Sequence, residues 1–476
     1  MLGRNVLLVN PPPVNGISFT RQGRCQERED VLGTTKPPYS LALIASLLRD
    51  RGYGVRLVDQ TAERLTTADL IARLRAESFT PSLVLFCSST PTLDADVAEA
   101  ALLKQAYRVP LVCFGPHASA APRESMERAP GVDGMIVGEP EDAALALAAL
   151  ESFDDAGGIP SLTRRRGADI IPHQSRGSFS DFESMPYPAW DLLPLARYRL
   201  PLENARYLIV ETSRGCPYSC DFCVAPIVQG HKFRERSAAS LVDEIERGYR
   251  DYGVRHFYLW GDTVTLNARS FSAFCEELIA RRLDIKWFGN ARADNLTDPV
   301  FVARLRQSGC WMLSLGIESE SDEVRKDMLK RLERQKIQAA IRNMREAGIL
   351  SFGFFILGYP GETRATIERT VEYALRLDPD FANFYPAVPY PGTEMYEKCR
   401  RDGSLVSDDW AKMEYSYYLL RSGDLDETVV MGAIRQATRR FFLRPRWMMK
   451  HAGDILKLAV RNRHLVWYAA TRLLRG

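Results

Sequence analysis

The sequence predicts an α/β protein in two parts, a doubly wound parallel sheet followed by a partial parallel barrel, and three observations carry that expectation. Short apolar runs alternate with helical patterns through the first third of the chain and again through its second half. Between them, residues 146–200 lose the periodicity and fill with turn-forming stretches such as Asp154-Asp-Ala-Gly-Gly158 and Pro186-Tyr-Pro-Ala-Trp-Asp191. The second half then opens on a cysteine triplet, Cys216, Cys220 and Cys223, directly behind an apolar run at 207–210.

A chain of 476 residues has room for two or three ordinary domains. The expected divisions are a Rossmann-like domain at 1–145, a linker at 146–200, a core at 201–430 and a small helical region at 431–476. In the first domain the runs at 6–10, 55–59, 83–87, 111–115 and 134–137 read as strands buried on both faces. Helical patterns at 41–49, 68–75, 94–105 and 118–127 separate them. Ligands bind such sheets at the carboxyl ends of the strands. The residues there are Asn10 before three prolines, the hydroxyl cluster Ser88, Ser89 and Thr90, then Gly115 and His117, then Gly138 and Glu139. The hydroxyls and the helix start behind them suit a polar or anionic group. No Gly-x-Gly-x-x-Gly follows the first run, which argues against a dinucleotide. In the linker, pieces at 161–164 and 169–172 are expected to form a hairpin.

The second half repeats the strand-helix unit six times, with strands at 207–211, 256–260, 285–290, 311–317, 352–357 and 381–385. Amphipathic helices lie between, for example at 239–249 and 335–346. Six parallel units predict a partial TIM-type (β/α)6 barrel, with chemistry at the C-terminal strand ends. Those ends carry the cysteine triplet, Gly261 and Asp262, Arg292, Glu318, and Ile356 with Gly358. Arg292 can fork onto a carboxylate, either a ligand's or that of Asp294. Glu318 is placed to face the mouth.

Three thiolates on one short loop can hold three irons of a cubane cluster and leave the fourth iron open. A zinc site would need a fourth ligand, and the nearest candidate is His231; a fragment of a disulfide framework is the other alternative. The nine cysteines are odd in number and, the triplet apart, scattered, as Cys25, Cys87 and Cys113 illustrate. That pattern fits buried thiols in a reducing compartment.

The C-x3-C-x2-C spacing resembles the signature of the radical S-adenosylmethionine (SAM) superfamily. Leu315-Gly-Ile-Glu-Ser319, Gly353-Phe-Phe-Ile-Leu-Gly-Tyr-Pro-Gly-Glu-Thr363 and Pro389-Tyr-Pro-Gly-Thr393 follow in the order that many such cores share. With the Rossmann-like domain in front, the layout resembles the cobalamin (B12)-dependent branch, which includes class B methyltransferases and anaerobic Mg-protoporphyrin ester cyclases. The resemblance implies a [4Fe-4S] cluster on Cys216, Cys220 and Cys223, with SAM chelating the open iron. It places Gly261 and Asp262 where the superfamily commonly has Gly-Gly-Glu, and adds Arg292, Glu318, Ile356 and Gly358 to the SAM site. It gives Asn10, Ser88, Ser89, Thr90, Gly115, His117, Gly138 and Glu139 to cobalamin. None of the six histidines stands in an Asp-x-His-x-x-Gly motif, so the lower cobalt face is expected to carry no protein histidine.

The activity implied is reductive cleavage of SAM to a 5′-deoxyadenosyl radical, hydrogen abstraction and methylation of an unactivated carbon through methylcobalamin. Cyclisation or rearrangement with the same cofactors is the alternative. Lys232-Phe-Arg-Glu-Arg-Ser237 also resembles the tRNA-methylthiolating branch, which would need cluster-ligand cysteines in the first domain. A non-catalytic electron-transfer or sensor protein is the non-enzyme reading, and the retained strand-end residues argue against it. Expected partners are a small-molecule or lipid-like substrate and a reductant such as flavodoxin or ferredoxin, with no nucleic acid.

The net charge of +3 conceals an asymmetry, because residues 435–476 hold eleven Lys/Arg against one acid, Asp454. Apolar residues alternate with them, from Phe441 and Trp447 to Trp467 and Leu473. Such a region can pack on the barrel, lie on a membrane surface or form a nucleic-acid patch. The start of the chain lacks a signal-peptide pattern, and no run of eighteen apolar residues occurs. The expected location is the cytoplasm, with peripheral contact at the inner face of the membrane open to the tail.

Overall fold

The structure, a computed structural model, describes residues 5–22, 28, 35–200 and 203–461. Strands β1 (Asn5–Asn10), β2 (Gly54–Asp59), β3 (Leu83–Cys87), β4 (Leu111–Phe114) and β5 (Gly134–Ile136) form a parallel sheet. Strands β6 (Leu162–Arg166) and β7 (Asp169–Ile171) extend it antiparallel, in the order β2-β1-β3-β4-β5-β6-β7. The expected hairpin therefore forms, but as part of the first sheet, so this domain runs beyond residue 145. The central strands β3 and β4 are apolar throughout because both faces are covered. Leu8, Leu85 and Val112 join the helices Tyr39–Arg49 and Glu141–Ala149, while Leu7, Val84 and Leu111 join Thr67–Ala76 and Leu93–Tyr107. The strand order reverses between β1 and β3, the usual ligand crevice of such a sheet.

The core opens with β8 (Tyr207–Glu211) and a two-stranded antiparallel pair, β9 (Ser213–Arg214) and β10 (Arg234–Glu235). Then come β11 (His256–Trp260), β12 (Lys286–Ala291), β13 (Cys310–Glu318), β14 (Leu350–Leu357) and β15 (Phe381–Pro386). With β8 they make a six-stranded parallel sheet, β15-β14-β13-β12-β11-β8, whose end strands do not pair. This is the partial barrel the sequence predicts. Outward residues such as Phe257, Leu259, Trp287 and Phe355 are buried beneath the helices. Local signals fix those helices: Ser237 caps Ala238–Tyr252 and Gly253 ends it in the left-handed conformation, and a Thr363–Thr366 capping box starts Arg364–Leu377.

The helix Glu427–Phe442 crosses the expected boundary at 430 and lies on the barrel, with Phe441 against Phe384 at 6.2 Å. The indole of Trp447 donates to the Asp380 carbonyl at 2.6 Å. The beginning of the basic tail therefore packs on β15. Trp467, Leu473 and the rest of 462–476 lie outside the described residues, as does Cys25.

Glu362, after β14, is buried, and its carboxylate accepts the Gly358 and Tyr359 N–H groups at 2.9 and 3.0 Å. Burial raises its pKa to about 7 against those hydrogen bonds, from an ordinary value of 4.5. The folded chain thus keeps a proton that the unfolded chain releases, so this contribution is complete below about pH 4.5 and is lost as pH rises through about 7. Glu362→Gln keeps an acceptor oxygen and has no proton to lose. Its melting temperature relative to the parent is expected to rise between pH 5.5 and pH 8, and a constant difference would refute the assignment.

Candidate active site

The cysteine loop follows β8, the first strand of the barrel. Gly215 turns the backbone into it at φ +82°, and a Cβ there would stand 2.2 Å from the Lys232 carbonyl oxygen, so only glycine fits. The loop is tied to the barrel at Asp221. Its N–H donates to the Met328 carbonyl at 3.2 Å, its carbonyl accepts the Met395 N–H at 3.0 Å, and its carboxylate accepts the buried Tyr359 hydroxyl. Cys216, Cys220 and Cys223 are half-exposed, whereas the other five described cysteines are buried. Cys87 and Cys113 are interior residues of the first sheet, and burial pushes both thiols well above their ordinary pKa. They lie in the cores on opposite faces of that sheet, apart from one another, which disfavours a shared cluster of the kind methylthiolation would need.

Arg292 ends β12 with its guanidinium 3.8 Å from the ring centre of Tyr218 in the cysteine loop. It also pairs with Asp294 at 3.1 Å and donates to the Lys330 carbonyl at 3.0 Å. Lys330 in turn pairs with Glu318 at 2.8 Å, both side chains buried. Burial opposes the charge of Lys330, but Glu318 and Cys220 favour it, and its pKa lies above the ordinary lysine value. The sequence marked Arg292 and Glu318 but not Lys330, which stands in a polar turn without a motif.

Asp262 is buried beyond β11, and neighbouring Gly261 leaves room for the Thr212 and Ser213 hydroxyls. Ile356 points along the inward, half-buried face of β14. Gly358 is gripped from the outside: the Tyr418 hydroxyl donates to its carbonyl at 2.8 Å, and Val430 fills the space beside it. Packing alone accounts for a glycine here.

The donor chemistry of the three thiols suits a cluster. Three accessible sulfurs on one loop, with Arg292 and Lys330 beside them, fit an anionic four-iron cluster. Among the described residues no three His, Cys, Asp or Glu side chains gather closely enough to hold one metal ion. That spread is compatible with thiols that each bind a separate iron.

At the carboxyl ends of the first sheet the polar groups turn inward. Asn10 donates to Asp59 at 2.8 Å, and the Tyr198 hydroxyl donates to the same carboxylate. Ser88 and Thr90 are buried, and Ser89 hydrogen-bonds Thr92, which donates to Asp96 at 2.6 Å. Arg21 closes the crevice by pairing with Asp96 at 2.7 Å, both fully buried. Gly115, at φ +130°, passes so near the Ser88 carbonyl that a Cβ would be 2.2 Å from it. His117 approaches the Thr90 hydroxyl at 3.1 Å through Nδ1 and meets the edge of Trp410, with Nε2 buried and unpartnered. Burial lowers its pKa to about 3, so it is neutral. The half-buried Gly115 and the polar groups packed behind it fit a corrin seated on this end of the sheet.

Gly138 and Glu139 have a different role from the cofactor contact the sequence led us to expect. The Gly138 N–H donates to Ser119, the Glu139 N–H donates to the Gly177 carbonyl of the linker, and the Glu139 side chain joins the domain junction. There the Arg214 guanidinium meets Glu139 at 3.0 Å, Glu141 at 2.7 Å and Glu211 at 2.8 Å, all four side chains buried. Arg234 adds a second pairing to Glu139, and the Phe179 N–H donates to it at 2.7 Å. Arg214 lies two residues before Cys216, so the loop is seated directly on the first domain.

The family model of the Radical SAM superfamily matches residues 210–374, and that of the B12 binding domain matches residues 30–148. The chain is 29% identical over 471 residues to an uncharacterized methyltransferase of Pyrococcus horikoshii, covering 98% of this chain and 99% of the relative. It is 28% identical over 420 residues to the anaerobic magnesium-protoporphyrin IX monomethyl ester cyclase of Cereibacter sphaeroides, covering 86% and 67%. The fold is similar to that of the radical SAM methyltransferase TsrM from Kitasatospora setae, solved with cobalamin and a [4Fe-4S] cluster, at a TM-score of 0.68 and 21% identity, covering 85% of this chain and 79% of that one.

Removing Arg214 strands three buried carboxylates. Arg214→Ala is expected to cost about 3–5 kcal/mol and to lower the iron retained after anaerobic reconstitution. Glu139→Gln, which leaves the guanidinium its other partners, should cost far less. Equal melting temperatures for the two variants in thermal unfolding would overturn this account of the junction.

Proposed function

Because the chain belongs to the radical SAM superfamily and carries a B12-binding domain ahead of its core, we propose that it methylates an unactivated carbon of a small molecule. The observation that carries the reading is the seating of three accessible cysteines at the barrel mouth, braced by Arg214 against the B12-binding domain. A four-iron cluster on Cys216, Cys220 and Cys223 supplies the electron for SAM cleavage, and cobalamin carries the methyl group. Asp262, with the Gly261 backbone, holds the SAM ammonium group. Glu318 accepts from the ribose hydroxyls while Lys330 fixes its carboxylate. Arg292 holds the face of Tyr218 and steadies the loop beneath SAM. Ile356, on the half-buried inward face of β14, would offer the adenine an apolar contact, whereas Gly358 serves packing against Tyr418 and Val430.

On the first domain, Gly115 would offer the corrin its backbone, with Asn10, Ser88, Ser89, Thr90 and His117 as the layer behind. Gly138 and Glu139 support this layer through the junction. The reductant is a one-electron carrier of the flavodoxin or ferredoxin kind. Cyclisation remains the rival outcome, and the cyclase relative favours keeping it in the test.

Anaerobically reconstituted protein is expected to retain cobalamin and to convert SAM to 5′-deoxyadenosine. Cys220→Ala should lose that conversion, and an unchanged rate would remove the cluster assignment. Methyl-labelled SAM distinguishes the outcomes, since label in the product means methyl transfer and its absence means cyclisation or rearrangement.

A second, separable reading concerns the C-terminal face. Five exposed large apolar side chains, Leu443, Met448, Met449, Ile455 and Leu456, fall within residues 443–456, the last three being 74, 41 and 65% exposed. Arg446, Lys450 and Lys457 lie among them. This pattern supports contact with an anionic membrane surface. Sedimentation with phosphatidylserine vesicles at low salt, but not with phosphatidylcholine alone, is expected, and no binding to either would refute it.

A further inference from the structure

We infer that the outer rim of the cysteine loop is the docking surface for an acidic one-electron carrier protein, and that the electron for SAM cleavage enters there. This rests on the enzymatic reading above. Among the described residues, the loop is enclosed on three sides and open on the fourth. Asp221 ties it to the barrel through Met328, Met395 and Tyr359. Tyr218 lies against Arg292 at the mouth. Val224 and Ile227 enter the core of the first domain.

The open side brings solvent close to a cluster ligand. Pro217 and Ser219, on either side of Tyr218, are exposed, as are His231 and Lys232. Residues 230–232 run beside Cys216. The Cys216 N–H donates to the Gly230 carbonyl at 3.1 Å, and the Cys216 carbonyl accepts from Nδ1 of His231 at 3.2 Å. Lys232 is fixed next to them by close backbone packing, since its carbonyl oxygen would stand 2.2 Å from a Cβ on Gly215. A single hydrogen bond therefore separates an exposed ring from the backbone of a ligand cysteine. Electron transfer between proteins weakens steeply with distance, so a carrier has to dock where the path to the cluster is short.

The charge of this rim selects the partner. Among the described residues Lys232 has no acidic partner, and neither has Arg176, an exposed linker residue. The Arg176 guanidinium donates to the Ile227 carbonyl, in the helix Ala225–Gln229 that follows the loop. The neighbouring acids are committed. Glu139 and Glu211 are buried and matched by Arg234 and Arg214, and Glu235 accepts from Asn267 at 2.7 Å. Unmatched cations thus flank the open side, and complementary charge steers encounter and orients the partner. Flavodoxins and ferredoxins share the fitting chemistry, an acidic face around a one-electron centre. In the transfer the carrier loses one electron and the cluster gains it; no bond forms or breaks and no proton moves. Breaking the sulfur–carbon bond of SAM then consumes that electron.

The test measures 5′-deoxyadenosine formed by the reconstituted full-length protein with photoreduced flavodoxin, with reduced ferredoxin and with dithionite, each carrier below saturation. In the parent at least one carrier should drive cleavage, and added salt should slow it. Lys232→Glu should slow carrier-driven cleavage about fivefold to tenfold at low salt and flatten its salt dependence, while the dithionite-driven rate stays within about twofold. Arg176→Glu should act in the same way, and Lys232→Arg should keep the parent rate. Arg376→Glu, at an exposed position on the helix Arg364–Leu377, should change neither rate. Cleavage with dithionite but with neither carrier, indifference of the carrier-driven rate to both charge reversals, equal slowing with dithionite, or slowing by Arg376→Glu would each overturn the docking surface. If the parent cleaves no SAM even with dithionite, the enzymatic reading falls instead.

Discussion

The guanidinium of Arg214 is the interaction on which the rest of the architecture depends. It reaches Glu211 at the end of the first barrel strand, Glu139 after the last parallel strand of the other sheet, and Glu141 in the first turn of the helix that follows. A planar fork with several fixed donors can satisfy three carboxylates at once, which a lysine ammonium cannot do in fixed geometry. The burial is costly. It pushes the Glu211 carboxyl upward, Arg214 opposes that shift, and Glu139 and Glu141 add to it. Burial also opposes the charge of Arg214 itself, yet the three acids hold its pKa well above the ordinary value. Such networks contribute little net stability over an apolar replacement, and their better-attested use is to fix register. Here the register is that of two domains whose facing ends must hold reacting groups in position, where small displacements are expensive.

The same network explains why the linker is not a tether. Residues 162–171 belong to the first sheet, and Gly177 lies against Glu139 so closely that a Cβ on it would be 2.3 Å from the Glu139 carbonyl. Apolar contacts complete the junction, with Val224, Ile227, Val388 and Trp410 of the second part entering the core of the first. Arg128 covers Trp410 at 4.2 Å, closing the surface above His117. The two parts therefore share a core, and a hinge between them would have to expose it.

Much of this was legible in the sequence because the signals were local. Runs such as Leu83–Cys87 are buried on both faces and read as strands without help from neighbours. The cysteine triplet lies within eight residues, and Gly215 marks its turn. What could not be read was pairing across distance. Arg214 and Glu139 are 75 residues apart, as are Arg21 and Asp96, and neither pair leaves a periodic trace. For the same reason Glu139 beyond a strand end looks like a ligand contact, although its ion-pair partners Arg214 and Arg234 come from the other domain. Gly358 looks like a place for an adenine to approach, but Tyr418 and Val430, far along the chain, already account for it.

The carboxyl end of β13 carries backbone strain at Glu318. Strand β13 slips register against β14 between Gly316 and Glu318, and Glu318 adopts φ +66°, a conformation unfavourable for a residue with a side chain. Such a residue costs about 1–3 kcal/mol and persists only where its surroundings hold it. The holding groups can be traced. Lys330 binds the carboxylate, Arg292 binds the Lys330 carbonyl, and Tyr218 lies against Arg292. Tyr218 stands between Cys216 and Cys220, so one continuous set of contacts joins the strained carboxylate to the cysteine loop. The bulge turns Glu318 toward the mouth, where a straight strand would have carried it past. The strain is therefore coupled to the loop, and neither group can shift without disturbing the other.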